Sequence, residues 1–384
     1  MHENIAIIGA GMGGLLLARV LQQRGVSAML FERESAPDAR SQGGTLDLHP
    51  GSGQHALSVA GLSEEFWALA RTDADDSTIV DPTGHVVAHL KADPEADEAR
   101  APEIDRPQLR QILLDAVAAD SIRWGAELVS VEHRDGGGWK LHFRDGSLVT
   151  CDLLIGADGS RSRIRPLVND FTPVFRYAYV ELGIENADQT APQIAEQVGP
   201  GSFRALGDDL NLMAQRNGDG SIRVSVSARG DEQWFEEHQI TASDPIGSKR
   251  RLRALFDGWN PSLVAMLDAT DDQVIPRPIS ATPLEVRWDS QPDVTLLGDA
   301  AHLMAPTGDG ANEAMLDGAV LGTAIAEILE SGAPLRDAVL RYESEMFPRA
   351  TAMAKHSRQM DELGLSSNAA ETLARMLGNQ DDVH

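Results

Sequence analysis

The chain has 384 residues, 42% of them hydrophobic and 24% charged, the profile of a soluble globular protein with length enough for two domains. Its formal net charge of −26 repels phosphate backbones and anionic lipid heads, which argues against nucleic acid and membrane surfaces as partners. Cys151, the single cysteine, cannot form an internal disulfide, no stretch reaches the ~18 apolar residues of a membrane span, and the lysines (Lys91, Lys140, Lys249, Lys355) are too few to favour amine chemistry, so a reducing cytoplasmic compartment is expected.

The first residues, MHENIAIIGAGMGG, pass from a β-branched segment, Ile5 to Ile8, straight into Gly9-x-Gly11-x-x-Gly14 and leave no room for a signal peptide. Leu15 to Arg24 has few helix breakers and reads as a helix. Val26 to Phe31 follows as a second apolar strand ending at Glu32. Gly9 allows the tight turn, Gly11 lets a pyrophosphate approach the backbone, Gly14 lets helix pack on strand, and Glu32 can hold a ribose hydroxyl pair. A dinucleotide is predicted. FAD and NAD remain open alternatives, because both present the same ADP half to such a loop.

Ser77 to Leu90 reads as a small hairpin (TIVD, PTG, HVVAHL), in which His85 and His89 alternate on a strand rather than ligate a metal; no metal site is predicted. In PEIDRPQLRQILL, Arg106 and Arg110 lie four apart on a helix whose buried stripe is Leu109, Ile112, Leu113, Ala116 and Val117, with Pro107 in its first turn. Residues 152 to 165, DLLIGADGSRSRIR, read as a buried strand, a turn at Asp158 and Gly159, and an arginine-rich helix start. Phe171 to Arg229 alternates polar and apolar residues as antiparallel strands do. DVTLLGDAAH, 293 to 302, is another short strand and glycine turn, with Asp299 placed to accept from sugar hydroxyls. Gly308, Gly310 and Asn312 then open a helix whose N-terminus can face an electron-rich ring edge. His302 reads as a packing or hydrogen-bonding residue near that turn, not as an acid or base. Leu335 to Met360 reads as one long helix with Ala338, Val339, Tyr342, Met346 and Phe347 inward and a kink expected at Pro348.

The glycine loop, the Asp-Gly turn and the Gly-Asp turn, in this order, resemble the class A FAD-dependent aromatic monooxygenases, the para-hydroxybenzoate hydroxylase-like family. The segments GGTLDLHPGSGQHAL (43 to 57), PEIDRPQLRQILL (102 to 114), GDAAHLMAP (298 to 306) and RYESEMF (341 to 347) look most like the tetracycline-modifying branch. The resemblance implies an α/β fold: a Rossmann-like FAD-binding domain of the GR2 type, a mixed or antiparallel β-sheet substrate domain and a long C-terminal helix. It implies an FAD domain over 1–72, 103–168 and 286–330, a substrate domain over 73–102 and 169–285, and a helical segment over 331–384.

By the same resemblance, Gly9, Gly11, Gly13, Gly14, Glu32 and Arg33 hold the adenosine end of FAD, and Arg106, with Arg110, its pyrophosphate and ribitol. Asp158 lies near the flavin and a transient nicotinamide, Asp299 binds the ribitol, and Gly310, Ala311 and Asn312 face the pyrimidine edge. The implied reaction uses NADPH or NADH and O2: reduced FAD adds oxygen at C4a, and the hydroperoxide oxygenates a polycyclic aromatic or enolic substrate with no catalytic side chain. A flavin-binding sensor without turnover and a halogenase-like enzyme are the alternative readings; the paired tryptophans and channel lysine of halogenases have no counterpart here. Two departures stand out. The loop after Pro306 reads TGDG where the family has PxxGQG, with Asp309 in place of glutamine. Where tetracycline-modifying relatives set a histidine and a glutamine against substrate, this chain has Arg223 and Asp208, and two charges in place of neutral hydrogen-bonding partners are expected to make tetracycline a poor substrate; the opposite charges could also pair with each other and narrow the entrance.

Overall fold

The computed structural model describes residues 4–39, 43–72, 76–90 and 101–378, and the chain divides into two compact units. One unit comprises Met1–Ala70, Arg106–Pro173 and Thr282–His356, the other Arg71–Asp105, Val174–Ala281 and Ser357–His384.

In the first unit a five-stranded parallel sheet has the order Val294–Leu296, Leu153–Gly156, Ile5–Ile8, Ala28–Phe31, Ile122–Arg123. Ile5–Ile8 and Leu153–Gly156 are buried at every position, which is why they read as unbroken apolar runs rather than as alternation. The first helix starts at Met12, inside the glycine motif, and ends at Gln23. Glycines read as breakers in the sequence, yet here they are needed within the first turn. A Cβ on Gly13 would stand 2.5 Å from the Ala314 carbonyl oxygen, one on Gly318 2.6 Å from that of Gly13, and one on Gly322 2.8 Å from Val20 Cγ1. Met12–Gln23 therefore packs backbone to backbone on the long helix Asp309–Ser331. A three-stranded antiparallel meander, Leu128–His133, Trp139–Phe143 and Leu148–Cys151, is an addition that the sequence reading did not contain.

The last long helix runs Leu335–Gly364, continuous through Pro348. Ala338, Val339, Tyr342 and Met346 are buried as expected, and Phe347 meets Trp288 edge to face at 4.8 Å. Glu343 is buried as well. It accepts from Trp288 Nε1 at 2.9 Å, Thr295 Oγ1 at 2.7 Å and Ser290 Oγ, and burial raises its carboxyl above the usual range against those three donors.

The second unit is built on a seven-stranded mixed sheet of order Ile275–Ala281, Val174–Ile184, Ile222–Ala228, Leu210–Arg216, Ser202–Leu206, Ser77–Val80, Val86–Leu90. All neighbours are antiparallel except Ser202–Leu206 with Ser77–Val80, and the expected hairpin pairs Ser77 with Leu90. Alternation sends Ala178, Val180, Leu182, Val224, Val226, Leu212 and Ala214 to one face, where they share a core with Leu252, Phe256, Leu263 and Met266. Those last four come from two helices with strong start signals. Asp244 caps Pro245–Leu255 by accepting from Gly247 N, and Asn260 caps Pro261–Asp268 by accepting from Ser262 N.

The glycine-lined helix contact makes a stability prediction. Gly318→Ala in ligand-free protein is expected to cost about 1–3 kcal/mol, because a methyl group must enter occupied backbone space. Gly11→Ala, with nothing within 4 Å of the added carbon, is expected to stay within about 0.5 kcal/mol of the parent. Equal denaturation midpoints for the two variants would contradict the packing account.

Candidate cofactor site

Gly9 ends the first strand at φ +113°, donates its N–H to the Phe31 carbonyl at 2.8 Å, and lies so close to Ala157 that no side chain fits between them. The glycine loop is thereby set against the Asp158 turn. Gly11 faces open space, and the helix beginning at Met12 has no side-chain cap and no acid in its first turn. Its free amides and positive dipole end suit an anion such as a pyrophosphate. Glu32 is fixed beside the loop: Oε2 accepts from Ala10 N at 2.7 Å and Oε1 from Glu34 N at 3.0 Å. Arg33 is exposed.

Arg106 and Arg110 share a helix, Arg106–Asp115, but have different surroundings. Arg106 is half-buried and near enough to Asp299 for its charge to favour that carboxylate. Arg110 is buried, donates from Nη1 to the Pro37 carbonyl at 2.5 Å and stands 5.7 Å above the Trp124 ring, so it faces protein.

Asp158 accepts from Arg163 N at 2.7 Å through Oδ2, while Oδ1 is buried with no hydrogen-bond partner. Burial raises its carboxyl despite the donors from Ser162 and nearby amides. Gly159 beside it, at φ +78°, faces open space. Asp299 keeps exposed surface in a recess that protein otherwise closes around; that loss of water raises its carboxyl against the opposing charges of His302, Arg106 and Arg165. A Cβ on Gly310 would meet nothing closer than Asp299 Oδ1, 4.0 Å away. Gly11, Gly159 and Gly310 thus each border space that a side chain at that position would enter, while Asp158 Oδ1 is buried without a hydrogen-bond partner. An elongated, hydroxyl-rich anionic ligand fits this donor and acceptor set.

The helix behind that space, Asp309–Ser331, is also uncapped: Gly308 precedes it at φ +101°, and the first-turn amides of Gly310, Ala311 and Asn312 lack a side-chain acceptor. The Asn312 side chain itself is fully used. Oδ1 accepts from His49 N at 3.0 Å and Gly53 N at 3.1 Å, and Nδ2 donates to the carbonyls of Asp47 and Gly308, which leaves only the backbone of this residue for a ligand. Asp309 accepts from Thr307 Oγ1 at 2.8 Å and lies 3.6 Å from His49 Nε2.

Two residues that sequence reasoning passed over hold the turns in place. Arg165 donates from Nε to Ala300 O at 2.8 Å, and from its terminal nitrogens to Asp299 O at 2.8 Å and Ser160 O at 3.0 Å. It ties the two aspartate turns together from beneath. Arg161 and Arg163, at the same alternate spacing, are exposed, so the sequence offered three equivalent arginines and no means of choosing. Asp317 accepts from Gly298 N at 2.8 Å and His302 Nε2 at 2.6 Å and pairs with Arg349 at 2.6 Å. His302, 2% exposed, is a member of this structural network, in keeping with the packing reading of the sequence.

In the second unit, Asp208 is exposed in the turn after Ser202–Leu206, whereas Arg223 pairs through Nη1 with Glu181 Oε1 at 2.6 Å. The expected Asp208–Arg223 pair is corrected. Arg223 stands opposite Gln215 and Gly183, near one end of its strand, and Asp208 lies beyond the Leu210–Ala228 pair at the other end. The diagonal neighbour across the strand pair, Glu181, takes the guanidinium instead.

Residues 3–203 and 281–357 match the model of an FAD binding domain family. The chain is 30% identical over 366 residues to the monooxygenase asqM of Emericella nidulans, covering 82% of each chain. It is 29% identical over 401 residues to the 3-amino-4-hydroxybenzoate 2-monooxygenase of Streptomyces cremeus, covering 99% of this chain and 93% of the relative. Among solved structures it shares the fold of the tetracycline destructase Tet(51), with a TM-score of 0.70, 21% identity, and coverage of 99% and 98%. With the glycine loop, the two aspartate turns and the uncapped helix in place, the chain belongs to the class A FAD-dependent monooxygenases, and FAD is its cofactor.

Proposed function

We propose that the protein is a single-component hydroxylase that uses NADPH or NADH and O2 to insert one oxygen into a planar aromatic or enolic small molecule. The observation that carries this reading is the convergence of three distant turns on one recess: Gly9 abuts the Asp158 turn, Arg165 ties that turn to Asp299, and Gly310 opens toward Asp299. An NAD dehydrogenase needs only the first of these turns. The name of the Streptomyces relative, which specifies an oxygenated aromatic ring, supports the substrate class.

In this reading Gly9, Gly11, Gly13 and Gly14 admit the pyrophosphate to the helix amides, Glu32 and Arg33 border the adenosine end, and Arg106 supplies the counter-charge. Arg110 supports the Arg106 helix by anchoring it to Pro37 and Trp124. Asp299 accepts from hydroxyls of the ribityl chain, and Asp158 lies near the flavin and the transient nicotinamide. The amides of Gly310, Ala311 and Asn312 point at the electron-rich ring edge, where a helix N-terminus favours negative charge. Bound FAD supplies electron transfer from the nicotinamide and activation of O2. No side-chain base is required of the protein, and His302 is committed to Asp317.

The purified protein is expected to be yellow and to release intact FAD on heating. Gly11→Val should abolish FAD binding while leaving the ligand-free melting temperature near the parent, since its side chain enters ligand space and not protein. A colourless parent that takes up no added FAD refutes the reading, as does a yellow Gly11→Val variant.

Asp299→Ala and Arg106→Ala should each weaken FAD binding by one to two decades, the ~1.5–3 kcal/mol of a charge-assisted contact. Fluorescence titration of FAD into the stripped variants measures this, and parental affinity in both would remove the two residues from the site.

A further inference from the structure

Asp309, where the glycine loop departs from PxxGQG, is the first residue of the long helix Asp309–Ser331. Three acids of that helix recur at a spacing of four, Asp309, Glu313 and Asp317, and so share one face. Arg349 pairs with both of the later two, with Asp317 at 2.6 Å and with Glu313. Asp309 is left out of that arrangement. Its carboxylate accepts from Thr307 Oγ1 at 2.8 Å and lies 3.6 Å from His49 Nε2, and no arginine or lysine pairs with it among the described residues.

The place of this charge is fixed by the backbone around it. Asn312 Oδ1 accepts from His49 N at 3.0 Å and Gly53 N at 3.1 Å, while Nδ2 donates to Asp47 O at 2.7 Å and to Gly308 O at 3.3 Å. The segment carrying His49 is thereby clamped to the helix start, which keeps the imidazole beside Asp309. Two more carboxylates flank the same turn. Asp47 Oδ2 is 3.7 Å from where a Cβ on Gly308 would stand, and Asp299 Oδ1 is 4.0 Å from the corresponding point on Gly310. The helix start thus joins a positive backbone dipole to an anionic rim, and Asp309 is the member of the rim that a glutamine would make neutral.

On the reading that the amides of Gly310, Ala311 and Asn312 face the flavin ring edge, we propose that Asp309 lowers the reduction potential of bound FAD. Hydride transfer from a nicotinamide brings two electrons and one proton to a neutral ring and leaves that ring with a negative charge. The helix dipole favours the charge, and a carboxylate in the same turn opposes it. A glutamine there would leave the dipole unopposed. The oxidised ring bears no such charge, so Asp309 acts on the ratio of the affinities for reduced and oxidised FAD and not on binding as such. His49 and Asn312 are positioning residues, which hold the carboxylate at the helix start.

The test is the midpoint potential of the FAD-loaded protein at neutral pH, read by anaerobic titration with dithionite against indicator dyes. Asp309→Gln is expected to favour reduced over oxidised FAD about tenfold more than the parent does, a rise of about 30 mV for a two-electron couple. Asp309→Glu should stay near the parent, and Asp309→Asn stands in if Asp309→Gln does not fold. A role confined to the helix, in which a first-turn acid steadies the dipole, would lower the melting temperature of the ligand-free neutral variants and leave the potential where it was. An unmoved or lowered potential in the neutral variants, loss of oxidised FAD from them, or failure of both to fold overturns the proposal. Turnover is scored separately. A raised potential in an enzyme that hydroxylates no aromatic or enolic compound supports the proposal and counts against the hydroxylase reading, whereas an unmoved potential in an active hydroxylase counts against the role of Asp309 alone.

Discussion

Where the helix Met12–Gln23 crosses Asp309–Ser331, backbone lies against backbone, with Gly13 against Ala314, Gly318 against Gly13 and Leu17, and Gly322 against Val20. Side chains at these positions would force the helices apart by an ångström or more, and both helices begin at the cofactor recess. Their spacing consequently sets the distance between the amides at the two helix starts. The open glycines, Gly11 and Gly310, stand at the starts of the same two helices, where the absence of a side chain leaves open space and is not required by the packing.

Buried charges fix the turns that the helices present. Asp317 is fully buried. Burial alone would raise its carboxyl, but the His302 charge, the hydrogen bond from His302 and the Arg349 guanidinium outweigh that and hold it at about 2. For His302 burial opposes the charged form, and the charge of Asp317 overcomes it, so its pKa lies above the ordinary 6.5. The linkage signs follow. The depressed acid contributes stability that is present above its usual 3.8 and lost as pH falls toward about 2, while the raised imidazole contributes stability that is full below 6.5 and lost as pH climbs past its folded value. The network is therefore complete in mildly acidic solution, and through Gly298 N it holds the turn that carries Asp299.

A strongly acidic chain must still hold an anionic cofactor, and around its glycine loop and aspartate turns it offers fixed local dipoles and few cations. Two helix starts lack side-chain caps, Arg106 lies near Asp299, and Arg165 spends its donors on four carbonyls of the two turns rather than on a ligand. Dipoles held by backbone geometry act at short range, where the diffuse field of net charge −26 is screened.

The sequence by itself determined what depends on neighbours along the chain. The strand, glycine loop, helix and acid of residues 5 to 32, the hairpin of 77 to 90 and the buried stripe of the helix Leu335–Gly364 were all legible, because alternation, helical periodicity and the conformational freedom of glycine are local properties. Tertiary structure alone decided which polar groups lose water. Arg165 and not Arg161 or Arg163 is buried, Glu343 lies inward on a helix where a glutamate reads as solvent-facing, Asn312 is used up by backbone groups from His49 and Gly53, and Arg223 chooses Glu181 over Asp208. The partners of each come from segments far away in sequence. A side chain's type states how many hydrogen bonds it can make, but only the folded chain brings up the atoms that complete them.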